Sequence, residues 1–265
     1  MKLGIIDEYS GLSSPLHRWE PRCKLIGFIV LIFAFSFVRN LSMLLAMVAV
    51  TAAIYLISRL PASFLLRRLR YPSLFLLVAV LVLPFISGQT VVMSLGPVDL
   101  HQEGIMAVFI IAIRFLSILT VGLVLFGTTP FLITIKAMRS LGLPAIMADM
   151  VLLSFRYLHE IGDDLHRMQT SMKLRGFHRE RFSLRGLRIP AWLGGSLLVH
   201  SYERSEWVYK AMILRGYGQA SYTSTSVALP VRGRDLAALG VFILVAAGFV
   251  IGDILYGHSA IALIQ

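Results

Sequence analysis

Hydrophobic positions in this chain come in long runs broken by short charged stretches as far as residue 126, after which the pattern changes. Runs at Arg22–Val38, Leu41–Ile57, Tyr71–Ile86, Gly104–Phe126 and Leu236–Leu255 are each near or somewhat under the ~20 apolar residues that carry a helix across a bilayer. They predict an all-α integral membrane protein with about five transmembrane helices. Pro144–Leu158 is the one further stretch that could hold a sixth.

Between the fourth and fifth runs the period becomes that of an amphipathic helix. Met147, Met150, Leu153, Tyr157, Ile161, Leu165, Met168 and Met172 recur at steps of three or four, with Arg156, Glu160, Asp163, Asp164, Arg167 and Lys173 on the other face. Gly176 can stop this helix, because glycine enters the left-handed conformation without strain. After a basic connector, Pro190 can open a second helix that runs to Gly216. Both helices end in one pattern, "MKLRGF" at Met172–Phe177 and "MILRGY" at Met212–Tyr217.

An arginine and a glycine at a helix end have an ordinary explanation, since Arg complements the helix dipole and Gly terminates the helix. Leu184-Arg185-Gly186 in the connector, without the Met and the aromatic, is read that way. The full pattern written twice suits a partner that presents two equal sockets. The methionines Met147, Met150, Met168 and Met172 have two readings, an adaptable surface against a moving partner or plain core.

Composition and charge then fix the setting. Hydrophobic residues make up 57% of the chain, above the roughly 45–50% of soluble domains. Lys and Arg crowd the N-terminal arm (Lys2, Arg18, Arg22, Lys24), the second loop (Arg59, Arg67, Arg68, Arg70) and Thr128–Asp235, whereas Ser87–Glu103 and the tail after Leu255 have none. The positive-inside rule places the N-terminus, second loop and large segment in the cytoplasm and the C-terminus outside. Four regions follow: a cytoplasmic arm (1–21), four transmembrane helices (22–126), a cytoplasmic helical region (127–235) and a last transmembrane helix with an outside tail (236–265). The net charge of +11 is accounted for by topology and anionic lipid contact, so nucleic acid is not an expected partner. Asp7, Glu8 and Glu20 before the first run argue against a cleaved signal. The single Cys23 leaves no internal disulfide or multi-cysteine metal site.

Candidate chemistry is sparse. No Gly-x-x-x-x-Gly-Lys-Ser/Thr loop is present, so the chain is not expected to bind ATP in that manner. "HEIGDDLH" sets His159, Asp163 and His166 on one helix face, at a spacing open to a divalent metal or to a solvated acidic face. Arg114 lies near the middle of the fourth run, where a charge is costly and marks function or a protein contact. Asp253 falls at the outer edge of the last run. A membrane metallo-enzyme would have to use "HEIGDDLH", and a secondary transporter would want internal repeats or more intramembrane polar groups.

The paired motifs, the stretch "SPLHRWEPRCK" at Ser14–Lys24 and "SYERSEWVYKAMILRGYG" at Ser201–Gly218 resemble the transmembrane T component of energy-coupling factor (ECF) transporters, and most closely its cobalt branch, the CbiQ type. Family copies often read Ala-Arg-Gly where this chain has Leu-Arg-Gly. The resemblance implies that Leu174, Arg175, Gly176 and Leu214, Arg215, Gly216 dock on two ATP-binding-cassette ATPase subunits. It also implies a substrate-capturing membrane subunit, for which Met147, Met150, Met168 and Met172 are the candidate interface. The chain would then hold no cofactor or metal of its own and catalyse nothing, ATP being bound by the ATPases. Cobalt is the implied substrate, with nickel or a vitamin as alternatives, and a bacterial or archaeal inner membrane the implied location.

Overall fold

The structure, a computed structural model, describes residues 14–38, 40–86, 91–95, 98–176, 188–217 and 233–262. The arm before Ser14, the connector with Arg185 and the C-terminal residues after Ala262 lie outside the described residues. Eight helices and one hairpin follow in order among those described: α1 (Pro21–Phe37), α2 (Leu41–Ser58), α3 (Ala62–Ile86), β1 (Val91–Leu95), β2 (Val98–His101), α4 (Gln102–Gly127), α5 (Phe131–Ser140), α6 (Ala145–Leu174), α7 (Arg188–Leu214) and α8 (Gly233–Ala262). They divide into two compact units, α6 with α7 and the remainder.

In the larger unit α1 is the central element. It starts where Pro21 presets the first turn and the Glu20 carboxylate accepts from the backbone N–H groups of Arg22 and Cys23, both at 3.1 Å. Phe28, Leu31 and Phe35 are fully buried along it. Phe242 of α8 stacks on Phe28 at 5.2 Å between ring centroids, and Phe249 meets Phe35 edge-on at 5.3 Å, so the last helix packs against the first. Met47 of α2 and Val121 and Val124 of α4 complete the buried cluster. In lipid, where tails are as apolar as side chains, such helices are held by close packing. Val108–Gly127 and Gly233–Leu255 are long and apolar enough to cross a membrane, and Met43–Ser58 is a shorter apolar helix.

The helical architecture agrees with the sequence expectation, with four differences. First, α3 begins at Ala62, so Arg67, Arg68 and Arg70 lie in a helix and not in a loop; arginine is a good helix former, and only the stretch from Tyr71 is apolar throughout. Second, β1 and β2 pair antiparallel inside the loop before α4, which an all-α reading excludes. Their valines favour strand, and in so short a segment the alternation was masked by the neighbouring apolar runs. Third, α5 is a separate helix that no periodic pattern announces, because its ten residues are too few to show a period. It packs on α1 and belongs to the larger compact unit, whose division from the smaller one falls between Leu141 and Gly142. Fourth, Pro144–Leu158 is the first half of the continuous 30-residue α6 and not a separate span.

In the smaller unit α6 and α7 run antiparallel. Ile189, Leu193, Leu197, Ser201, Arg204, Val208 and Met212 are the shielded positions of α7, one per turn. Arg204 Nη1 lies 3.0 Å from Glu160 Oε1 and 3.3 Å from Asp164 Oδ2 of α6. Tyr217, just past α7, donates its hydroxyl to Asp149 Oδ2 near the start of α6, at 3.2 Å.

Candidate functional site

Both motif copies form the same helix end. The backbone N–H of Arg175 donates to the carbonyls of Ser171 and Met172, and that of Arg215 to Ala211 and Met212. Gly176 and Gly216 then take left-handed conformations, with φ of 81° and 79°. In the second copy the Gly216 N–H donates to Ile213 O and the Tyr217 N–H to Met212 O, at 2.9 and 3.0 Å. This bond pair is the Schellman closure, in which the residue after the glycine caps the one five places earlier and a hydrophobic pair often joins the two. In the first copy Gly176 N–H donates to Lys173 O at 3.1 Å, and Phe177 is outside the described residues.

Helix termination therefore explains the glycine of both copies, and in the second copy it sets the Tyr217 N–H against the Met212 carbonyl. It leaves Leu and Arg unexplained. Leu174 is 84% exposed and Leu214 89%, and both arginines are exposed as well. Burying a leucine contributes roughly 1.5–3 kcal/mol, yet two leucines at identical positions face outward beside a cation. Each end thus presents one apolar and one cationic group on a rigid cap, chemistry suited to a groove with an apolar floor and a carboxylate. Because Tyr217 reaches Asp149, Arg215 stands near the start of α6 while Arg175 stands at its end. At ~1.5 Å per residue the two knobs are about 40 Å apart along the pair.

The methionines do not form one continuous outer face. Met147 and Met150 are exposed at the start of α6, whereas Met168 and Met172 are half-buried. Met168 lines the groove between α6 and α7 with Asp164, Arg204 and Trp207. Around "HEIGDDLH", His159 Nδ1 is 2.9 Å from Phe155 O, and Glu160 and Asp164 pair with Arg204. Asp163 and His166 are exposed, and no metal-holding group of three donors occurs among the described residues. Arg204 was invisible to a reading along single helices, because it faces the acidic side of α6 only when α7 folds back on it.

The juxtamembrane stretch at Ser14–Lys24 is a built junction. Lys24, which the charge pattern would leave at the lipid surface, is 1% exposed, and its Nζ donates to Leu16 O at 3.0 Å and Thr129 Oγ1 at 2.7 Å. It ties the strap before α1, α1 itself and the turn between α4 and α5. Trp19 donates from Nε1 to Asp235 O at 3.2 Å and packs on Phe242, fixing the start of α8. Replacing Lys24 by Met strands both acceptors at about 1–3 kcal/mol, so the thermal midpoint of the purified protein in detergent is expected to fall by several degrees; an unchanged midpoint would show that the junction is dispensable.

Comparison with known proteins adds the following. The family model for CbiQ, described as cobalt transport protein, matches residues 12–225. The energy-coupling factor transporter transmembrane protein EcfT of Bacillus selenitireducens is 28% identical over 92% of this chain and 94% of its own length. That of Limosilactobacillus fermentum is 29% identical over 92% and 95%. A Bifidobacterium longum protein provisionally named as an ABC transporter ATP-binding protein is 26% identical over 88% of this chain, which corresponds to 31% of that protein.

Proposed function

Since the chain belongs to the CbiQ family of cobalt transport proteins and is a transmembrane T component of an energy-coupling factor transporter, we propose that it carries ATPase motion to a substrate-capturing membrane subunit for cobalt uptake. The observation that carries this reading is the pair of glycine-terminated helix ends, with φ of 81° and 79°, at which Leu174–Arg175 and Leu214–Arg215 stand exposed. An exposed guanidinium can form a two-pronged pair with a carboxylate, which fixes direction as well as distance. Two knobs about 40 Å apart suit two ATPase subunits, one per knob. ATP is bound and hydrolysed there, and this chain is not itself an enzyme. The Bifidobacterium relative, whose name refers to ATP binding and of which the matched part is 31%, supports an ATPase partnership. When the ATPases close, the knobs are drawn together and the antiparallel pair α6–α7, held at Arg204 and Tyr217, passes the displacement on. The exposed Met147 and Met150 offer the first surface for the substrate-capturing subunit, beside the half-buried Met172 and Met168, the latter at the groove.

The region before residue 127 and the last helix are proposed to cross the inner membrane five times, with the N-terminus inside. A reporter fused at the C-terminus is expected outside, and one inserted at Arg179 in the cytoplasm; a cytoplasmic C-terminus would sink the five-span topology. Function is tested by co-expressing the chain with the ATPases and membrane subunit encoded beside it and following radiolabelled cobalt and nickel entry. ATP-dependent cobalt uptake supports the reading. Uptake of nickel or a vitamin instead keeps the coupling role and changes the substrate, and transport by the chain alone overturns it.

A further inference from the structure

Along α3 the half-buried positions Leu65, Leu69, Pro72 and Leu76 recur at steps of three and four, and the helix packs on α4. On the opposite side Arg67, Arg70, Leu74, Leu77 and Leu81 follow one another at the same steps, and all five are exposed. That stripe is cationic in its early turns and apolar beyond them. No acidic residue occurs between Glu20 and Asp99, and among the described residues no carboxylate pairs with Arg67 or Arg70. Three residues apart on one helix face, the two arginines are close enough to share a ligand. Arg68 is turned about 100° from Arg67, and its guanidinium lies over the Phe64 ring at 5.8 Å, where Phe64 adjoins Gly127 of α4. Arg114, in the middle of α4, is half-buried; its Nε and the Tyr55 hydroxyl of α2 are shielded and without hydrogen-bond partners among the described residues, so neither atom is offered to the surface.

In the proposed topology α3 starts in the cytoplasm. Its apolar part, Tyr71–Ile86, is about 24 Å long at ~1.5 Å per residue, short of the roughly 30 Å of hydrocarbon in a bilayer. The turns that carry Arg67 and Arg70 are thereby drawn to the headgroup level of the cytoplasmic leaflet, with Leu74, Leu77 and Leu81 among the acyl chains. We propose that this face of α3 is a binding site for one anionic phospholipid, its phosphate held by Arg67 and Arg70 and an acyl chain lying along the three leucines. Guanidinium groups match phosphate oxygens in pairs, and two cations without a carboxylate leave a charge that a zwitterionic headgroup balances only in part. A lipid held at both its charged and its apolar end fixes the depth and rotation of α3, which apolar contacts alone leave free to slide. The site depends on the proposed topology and is independent of the coupling role.

The test is native mass spectrometry of the full chain in detergent, titrated with phosphatidylglycerol or with phosphatidylcholine of the same acyl chains. The unsubstituted chain is expected to bind one phosphatidylglycerol roughly tenfold more tightly than phosphatidylcholine, and Arg67→Gln combined with Arg70→Gln to reduce that preference to about twofold or less. Arg67→Lys with Arg70→Lys should keep part of the preference. Arg68→Gln, which removes a like charge from another side of the helix, should keep all of it. Phosphatidylglycerol is also expected to raise the thermal midpoint of the unsubstituted chain and of Arg68→Gln, but not that of the double glutamine variant. A chain without headgroup preference overturns the proposal, as does a double glutamine variant that retains it. An equal loss in Arg68→Gln overturns it too, by showing diffuse attraction instead of a site. If the double variant sheds the substrate-capturing subunit from the co-expressed complex while its lipid preference stays intact, the face is a protein interface and the proposal fails. A reporter inserted at Pro61 that reads outside would refute the topology, separately from the lipid titration.

Discussion

Replacing Arg175 and Arg215 together by alanine is expected to release both ATPases and abolish uptake while leaving the membrane helices folded. Either single replacement should weaken ATPase capture by about 2–5 kcal/mol, because the carboxylate in the socket loses its charged partner. Arg→Lys at each site should restore binding only in part, since an ammonium cannot form the two-pronged pair. Alanine is compatible with the last position of a helix, and both arginines are exposed, so the helix ends survive the substitution. Arg185, in the bare tripeptide of the connector, should tolerate alanine. Pull-down of the ATPases together with cellular uptake gives the result, and a double variant that binds normally would return both arginines to the role of helix caps.

Aim is expected to matter as much as charge. Valine at Gly176 or Gly216 retains the arginine but cannot adopt φ near 80° without a cost of about 1–2 kcal/mol, so the last turn rearranges and the knob turns away. ATPase binding should fall by roughly tenfold per site. Asparagine, which enters the left-handed region more readily, should bind better than valine at the same position. Among the described residues, and apart from its own chain neighbours, nothing stands within 4 Å of a Cβ at either glycine, so the difference between the two substitutions reports backbone conformation and not crowding. Equal binding by the glycine, asparagine and valine forms would show that cap geometry is irrelevant to docking.

Much of the architecture was legible in the chain. Long apolar runs located α1, α2 and α4 within a residue or two, and α6 was delimited correctly by Pro144 and Gly176, because proline and glycine act locally on the backbone. The two helix ends were recognised as repeats, but their internal logic was not. Only the structure separates the glycines, which close the helix ends, from Leu and Arg, which face outward. What escaped depended on distant parts of the chain meeting. Lys24 counts in the sequence as one more positive charge, and its burial follows from Thr129 arriving beside it. Similarly, the acidic positions of α6 looked like a solvated or metal-binding face until Arg204 was placed against Glu160 and Asp164. The methionine stripe holds as a helical period, yet a period states only which residues share a face; Met168 borders α7, whereas Met147 and Met150 are exposed.

The central claim is that each capped Leu-Arg pair holds one ATPase. Native mass spectrometry of the nucleotide-free complex counts ATPases per chain directly, without an activity readout. The unsubstituted chain and Arg185→Ala are expected to carry two, Arg175→Ala or Arg215→Ala one, and the double variant none. Two ATPases retained on the double variant would contradict the claim.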